Sequence, residues 1–140
     1  MASQDLNSVI KVVPAIPPQL ITGPASVQSA IIDTVDYESL TFVLLSATIT
    51  TGDFTFTLDH GNEPDLSDAQ PVQAPESQGS ELFGVSPLFG APESNAVRRL
   101  GYRGDKRYVR ATIVGNPTGV GTLGCVAIQG HPRIAPVDPV

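Results

Sequence analysis

Histidine and its acidic neighbours are the first residues of this 140-residue chain that could do chemistry. His60 stands in the run Asp59-His-Gly-Asn-Glu-Pro-Asp65, where three carboxylates could join it around a metal ion. The spacing matches neither a calcium loop nor a zinc site. The second histidine, His131, has no residue near it in sequence that marks it as a base. We therefore expect a solvated acidic loop and no bound metal.

Nucleophiles and cofactor motifs give no stronger signal. The single cysteine, Cys125, lies in the middle of an apolar, strand-like run, which is typical of a small buried core residue. The chain has no Gly-x-Ser-x-Gly motif, and its glycine-rich stretch 115–124 lacks the lysine of a phosphate-binding loop. Carboxylate pairs for glycoside hydrolysis are placed by the fold rather than by spacing, so the sequence singles out none. We expect a non-enzymatic protein without a cofactor.

Charge is segregated along the chain. Six of the eight basic residues lie between Arg98 and Arg110, and eleven of the fourteen acids lie between Asp33 and Glu93. If strands 97–103 and 106–114 form a hairpin about Gly104-Asp105, period-two geometry gathers several arginines on one face of the sheet. That face would meet either the protein's own acidic loop or an acidic surface on another subunit. The arginines that we expect at such a contact are Arg98, Arg99, Arg103 and Arg107.

The elements that must position these residues are strands. Residues 40–50 are rich in β-branched and aromatic side chains, and Phe54, Phe56 and Leu58 alternate with polar residues, so a hairpin about Thr51-Gly52-Asp53 is predicted. Further strands are predicted at 27–33, 97–103, 106–114 and 122–129, with no credible helix. This pattern predicts an all-β domain, an antiparallel β-sandwich or jelly-roll-like barrel of about six to eight strands.

The N-terminal segment, residues 1–26, is predicted to be an extended, proline-rich arm. Its four prolines, at positions 14, 17, 18 and 24, remove backbone donors and disfavour both a helix and a central strand. Its apolar side chains need a surface, which is either the arm's own domain or a neighbouring subunit. The β-sandwich would then cover residues 27–131, with a short tail at 132–140. The arm residues that we expect at a partner interface are Val9, Ile10, Val12, Val13, Leu20 and Ile21.

Composition excludes several classes of protein. The net charge is −6 and the isoelectric point is about 4.6, which argues against nucleic-acid binding. The longest run of strongly apolar side chains is Phe42–Leu45, far short of a membrane helix. The N-terminus lacks the basic start and apolar stretch of a secretory signal, and one cysteine cannot form an internal disulfide. We therefore expect synthesis in a reducing cytoplasm and no association with membranes.

Four segments of the sequence carry a resemblance to a known family: Ile32–Val43, the acidic loop after Phe54–Leu58, Leu100–Ile113 and Leu123–Pro132. They include a strand beginning Tyr-Glu-Ser-Leu, a strand with Lys-Arg-Tyr-Val-Arg and an end near Gly-His-Pro. Together these segments resemble a family of small virion structural proteins of tailed bacteriophages, of which such motifs are typical. The resemblance extends over roughly residues 28–136, most of the chain, and its motifs are structural rather than catalytic.

The resemblance implies a structural component of the virion, made in the cytoplasm of the bacterial host. We expect a capsid decoration (cement) protein on the capsid surface, with the major capsid protein or other virion subunits as partners and a homo-oligomeric arrangement on the particle. A head–tail connector, neck or tail component is the alternative. A carbohydrate-binding host-recognition module is less favoured, because the chain has no Trp and only 6% aromatic residues with which to stack on sugars.

Overall fold

The computed structural model describes residues 6–23, 25–72, 77–79, 88–90, 95–115 and 117–132. Within these residues a short 3-10 turn (Asn7–Val9) precedes eleven strands. The strands are β1 (Ile10–Thr22), β2 (Ser26–Gln28), β3 (Ile32–Asp33), β4 (Tyr37–Thr51), β5 (Asp53–Gly61), β6 (Gln70–Pro71), β7 (Ser77–Gly79), β8 (Leu88–Gly90), β9 (Val97–Tyr102), β10 (Tyr108–Gly115) and β11 (Val120–Pro132). No helix in this part of the chain is long and apolar enough to span a membrane.

The strands form two antiparallel sheets that pack as a sandwich. The five-stranded sheet has the order β1-β11-β4-β9-β7, and the second sheet has the order β2-β10-β5-β6, with β3 also beside β10 and β8 also beside β5. The segments β2 and β3 lie beside the same strand, β10, and β6 and β8 both lie beside β5, so each pair can be treated as one interrupted strand. With β7 left aside, each sheet then has four strands, and the chain crosses between the sheets as in a jelly roll. The predicted all-β, antiparallel class is confirmed.

The core lies between the two sheets. Leu40, Phe42 and Leu44 alternate along β4 and are buried, and Phe54 and Phe56 of β5 face them from the other sheet. The rings of Phe42 and Phe56 meet edge to face, with centroids 6.1 Å apart and an interplanar angle of 70°. Burial of a side chain of this size stabilises the fold by roughly 1.5–3 kcal/mol. The sandwich is therefore held by contacts between the sheets as much as by the strand ladders.

Both predicted hairpins are wrong. Strands β4 and β5 lie in different sheets, and so do β9 and β10, so neither pair shares a ladder. The turn at Gly52, with φ of 75°, carries the chain across the sandwich. The physical reason is that both strands of each pair carry apolar faces. When the strands lie in opposite sheets, these faces bury each other rather than lying side by side.

The predicted arm is corrected in one respect: its described part belongs to the sandwich. Strand β1 pairs with β11 from Ile10 opposite Gly130 to Thr22 opposite Val120. The register shifts between Pro14 and Ile16 and again between Ile16 and Gln19, where prolines cannot donate to the ladder. The segment is extended as predicted, and prolines fit it because an edge strand is paired on one side only. Residues 1–5 and 133–140 lie outside the described residues.

Short breaks and turns complete the described chain. The predicted strand 27–33 is divided into β2 and β3, because Ser29 exchanges hydrogen bonds with Ala111 through its backbone N–H (2.8 Å) and its Oγ (2.9 Å).

In the acidic loop, Asp68 accepts hydrogen bonds from the backbone N–H groups of Asn62 (2.9 Å) and Glu63 (3.2 Å). Asp68 therefore acts as a turn-forming residue.

Candidate interaction surface

The outward face of the five-stranded sheet is apolar. Because side chains alternate across a strand, the residues between buried positions point outward: Val43 lies between Phe42 and Leu44, and Val126 lies between Cys125 and Ala127. The cross-strand register aligns them. One row runs Pro14–Val126–Val43–Arg99, and a neighbouring row contains Val12 opposite Ile128 and Ile128 opposite Thr41.

We call this surface the apolar face. Its exposed members are unusually open for aliphatic residues: Val12 is 50%, Leu45 is 49%, Val97 is 62% and Leu20 is 64% exposed. Among the outward residues of the described strands β1, β4, β9 and β11, Arg99 is the one charged side chain. The apolar face consists of Val12, Pro14, Leu20, Val43, Leu45, Val97, Val126 and Ile128.

A pocket of about 190 Å³ lies within the apolar face. Pro17 and Pro18 of β1 line it, together with Leu45 and Ala47 of β4. Gly124 of β11 also lines the pocket, and a Cβ atom at this position would lie 3.1 Å from the Pro18 Cα. Glycine at position 124 therefore lets β1 approach β11 closely at Pro18. The pocket lies between Pro18 and the side chain of Leu45.

In the residues that the structure describes, the outward face of the second sheet is mainly polar, although Val114 of β10 is 39% exposed there. Asp59 lies opposite Arg110, and Thr57 lies opposite Thr112, in the ladder between β5 and β10. Cross-strand pairs of opposite charge and of threonines stabilise a sheet through contacts between neighbouring strands. The two outer faces of the sandwich thus differ: one is mainly polar, whereas the apolar face exposes aliphatic side chains to water.

The predicted arm residues are divided between the core and the surface. Ile21 is 2% exposed and belongs to the core, and Val13 packs against the core, so neither is open to a partner as the sequence led us to expect. The reason is that these two face inward when β1 joins the sheet. Val12 and Leu20 point outward on the apolar face. Val9 is exposed in the 3-10 turn. Ile10 is half-buried and lies opposite Gly130, on the same outward side of β1 as Val12, so it borders the apolar face.

The predicted cluster of arginines does not form. Arg99 lies on the apolar face, whereas Arg98, opposite Leu44, is on the core-facing side of β9 and is half-buried. Arg103 is exposed in the connection after β9, and Arg107 lies just before β10. Since β9 and β10 lie in different sheets, period-two alternation cannot bring these four side chains onto one face.

Arg107 makes a bidentate ion pair with Asp33. Its Nε and Nη2 donate to the two carboxylate oxygens over 2.8 Å and 2.9 Å, and its guanidinium lies 5.1 Å from the centre of the Tyr108 ring. The hydrogen bonds from Arg107 hold the pKa of Asp33 below its usual range. Arg107 is therefore paired within the chain, with the acid at the end of β3 rather than with the acidic loop.

A buried polar contact joins the two sheets, and the sequence did not predict it. His60 of β5 and Tyr102 of β9 are both buried, and the His60 Nδ1 lies 2.8 Å from the Tyr102 hydroxyl. The same hydroxyl accepts a hydrogen bond from the backbone N–H of Lys106 over 2.9 Å. The alternation of Phe54, Phe56 and Leu58 with polar residues continues to His60, so the sequence pattern could have predicted that His60 faces the core.

The remaining reactive side chains are also held in structural positions. Burial raises the pKa of the Cys125 thiol to about 12, so the predicted core position of this cysteine is confirmed. The His131 Nδ1 lies 3.0 Å from the Ser39 Oγ. Within the described part of the chain, no three His, Cys, Asp or Glu side chains converge as metal ligands.

Comparison with known proteins bears on the fold. No family model and no curated protein matches the sequence. The solved structure of the PBSX exported protein XepA is similar over 92% of this chain, with a TM-score of 0.58 and 8% identity, and this chain spans 39% of that protein's length. The SPBc2 prophage-derived protein YomS gives a TM-score of 0.48 at 11% identity, over 84% of this chain and 92% of YomS. A chain of infectious bursal disease virus, Gx strain, gives 0.48 at 12% identity, over 91% of this chain and 35% of its own length. The likeness to XepA shows a shared fold.

Proposed function

We propose that this chain is a structural protein of a bacteriophage virion, which attaches to other virion subunits through the apolar face. The observation that carries the proposal is the contrast between the two outer faces of the sandwich. A contiguous exposed apolar surface on a small protein marks an interaction site. The sequence resemblance to tailed-phage virion proteins supports the proposal, and the fold shared with the PBSX exported protein XepA is consistent with it.

The geometry of the apolar face suits attachment. Its side chains stand on four neighbouring strands, β1, β11, β4 and β9, so the surface is formed before any partner arrives. A preformed surface loses little conformational entropy on binding. The pocket beside Pro18 and Leu45 offers a seat for one apolar anchor of the partner, which is how many interfaces concentrate their binding energy.

The charge distribution defines the partner further. The chain carries a net charge of −6, yet the apolar face carries Arg99 and no acid among its described residues. A matching partner surface is apolar with a carboxylate opposite Arg99, since Arg binds carboxylates in a bidentate manner. The acids elsewhere on the chain would keep other orientations from competing.

The finer form of the proposal is a capsid decoration (cement) protein without enzymatic activity. Its partner would be the major capsid protein, and its copies would form a homo-oligomeric layer on the capsid surface. Attachment of many copies to a repeating shell gives tight overall binding from weak single contacts. A neck or tail component would use the same face against a less repetitive partner.

The experiment is co-sedimentation of the purified chain with virions or empty heads stripped of it, followed by a count of bound copies. Hundreds of copies, together with greater resistance of the shell to heat, support decoration. About a dozen copies or fewer, as a single symmetric ring provides, would move the protein to the neck or tail. An absence of binding would overturn the virion role.

A pair of matched variants tests the face itself. Leu45→Lys places a charge at the centre of the apolar face, whereas Thr57→Lys places the same charge on the outer face of the other sheet. We expect Leu45→Lys to abolish co-sedimentation and Thr57→Lys to leave it unchanged, with equal thermal stability for both. Equal binding by the two variants would remove the apolar face from the proposal.

A further inference from the structure

The pocket within the apolar face has the size of an aromatic ring. Its volume is about 190 Å³. An apolar cavity of about 150 Å³ already accepts a benzene molecule. A phenyl group therefore fits this pocket, whereas the smaller side chain of a leucine would leave part of the space empty and forfeit dispersion contacts with the walls.

Irregularities of the β1–β11 ladder form the pocket. The register shifts on both sides of Ile16, and Pro17 and Pro18 are not paired with a residue of β11. Gly124, beside them on β11, has no side chain with which to fill the space. Because proline also fixes its own backbone, the depression exists before a partner binds.

The polar groups of the wall are largely used within the chain. The Ser46 Oγ accepts a hydrogen bond from the backbone N–H of Ala96 over 2.9 Å and donates to the Ala96 carbonyl over 3.4 Å. The Pro17 carbonyl accepts a hydrogen bond from the Gln19 side chain over 3.2 Å. None of the described residues that line the pocket is charged. The pocket therefore favours a side chain without polar groups, and phenylalanine is the aromatic residue of that kind.

Arg99 adds a charge at a defined distance from the pocket. Gly124 lies opposite Leu45, and Leu45 lies opposite Val97, so Arg99 is two strands and two residues away from Gly124. With strands about 4.8 Å apart and a rise of about 3.4 Å per residue, the two Cα positions are separated by about 12 Å. The described residues of the apolar face offer no carboxylate to Arg99, so a partner must supply one.

We propose that the pocket binds a phenylalanine side chain of the partner, and that Arg99 binds a carboxylate four residues away on the same extended segment. In an extended chain, residues four apart point to the same side and lie about 13 Å from each other, which matches the spacing on the apolar face. The inference rests on the proposed function for the identity of the partner as a virion subunit. The pocket itself can be tested without one.

The test is an NMR titration of the full ¹⁵N-labelled chain with N-acetylphenylalanine amide. We expect saturable shifts centred on residues 16, 45–47 and 122–126, with a Kd of about 1–10 mM, as is ordinary for a ligand of this size. N-acetylleucine amide should bind about threefold more weakly or worse, because it buries less apolar surface. N-acetylalanine amide should cause no saturable shift.

Two matched variants separate the pocket from the rest of the apolar face. Ala47 is exposed and lines the pocket, so Ala47→Ile fills the space with a side chain that suits a strand. Thr41→Ile adds an aliphatic side chain to the same face of β4 outside the pocket. We expect Ala47→Ile to weaken binding of N-acetylphenylalanine amide about tenfold or more and Thr41→Ile to leave it unchanged. The amide spectrum of each variant shows whether it is folded.

Peptides test the role of Arg99. The probes are the acetylated peptide amides Phe-Gly-Ser-Gly-Asp and Asp-Gly-Ser-Gly-Phe, each compared with the same peptide carrying Asn in place of Asp. In low salt, one of the two orders should bind about threefold to tenfold more tightly than its Asn form. Arg99→Gln should abolish this difference and leave the binding of N-acetylphenylalanine amide unchanged.

Four outcomes would overturn the proposal. They are the absence of saturable shifts with N-acetylphenylalanine amide, equal or tighter binding of the leucine derivative, unchanged binding by Ala47→Ile, and equal binding of the Asp and Asn peptides in both orders. None of these measurements uses a virion. Failure of the pocket would therefore leave co-sedimentation through the apolar face intact, and failure of co-sedimentation would leave the affinity of the pocket for phenylalanine intact.

Discussion

Removal of one hydroxyl group, in the variant Tyr102→Phe, tests how the two sheets are joined. The Tyr102 hydroxyl lies 2.8 Å from the Nδ1 of His60 and accepts a hydrogen bond from the N–H of Lys106 over 2.9 Å. Phenylalanine keeps the ring, which meets the His60 ring edge to face with centroids 5.6 Å apart. The variant therefore removes two hydrogen bonds and leaves the packing intact.

The expected loss of stability follows from burial. His60 is 5% exposed, so its Nδ1 cannot turn to water, and leaving such a group unpaired costs about 1–3 kcal/mol. The N–H of Lys106 is only partly buried, and water can replace the hydroxyl there at a cost of about 0.5–1 kcal/mol. We expect Tyr102→Phe to lower the free energy of unfolding by about 2–3 kcal/mol.

Equilibrium unfolding in urea measures this loss. The slope of the transition should be unchanged, because the surface exposed on unfolding is the same. Tyr108→Phe is the matched control, since Tyr108 is half-buried at the end of β10 and its ring lies beside Arg107. A loss below about 0.5 kcal/mol in Tyr102→Phe, or a loss equal to that of the control, would refute the bridge as a stabilising contact.

Three further predictions concern the surface, the ion pair and the core. Leu45→Ala and Val97→Ala should each weaken attachment to stripped particles by about 1 kcal/mol, or about fivefold in Kd, because about half of each side chain is available for burial by a partner. Their thermal stability should fall by no more than a similar amount, because the rest of each side chain already packs within the fold. Arg107 lowers the pKa of Asp33, so this pair stabilises the fold above the unfolded-state pKa of the acid, and the stabilisation is lost as the pH falls through the lower folded-state pKa. The difference in urea midpoint between the wild type and Asp33→Asn should therefore be present at pH 7 and disappear in acid. A difference that does not change with pH would contradict the pairing. Cys125 should resist a thiol-reactive reagent in the native state and react in urea, and rapid reaction of the native chain would contradict its buried position.

The class of fold could be predicted because local patterns determine it. Phe54, Phe56 and Leu58 alternate with polar residues, and the structure buries all three. The pairing of strands could not be predicted in the same way. Gly52 suits a tight hairpin as well as a corner between sheets, and only the long-range contacts of β4 with β11 and of β5 with β10 decide between them.

The candidate surface was predictable in part. Val12 and Leu20 were expected at an interface and lie on the apolar face, but Val43 and Val126 were not distinguished from core residues. Their strands are apolar on both sides, and a continuous apolar run does not tell which side a second sheet will cover. A cleft of about 380 Å³ between the β3–β4, β5–β6 and β9–β10 connections could not be foreseen either, because these connections are distant in sequence and meet only in the folded chain.

The prolines of β1 have a consequence for the free protein at high concentration. Strand β1 is the long edge of the five-stranded sheet, and an unprotected edge of this length is a template onto which another chain can add a strand. Pro14, Pro17 and Pro18 interrupt its row of backbone donors, and the described strands at the other edges have only two or three residues. Edge-to-edge addition of another chain is thereby disfavoured at the described edges of both sheets.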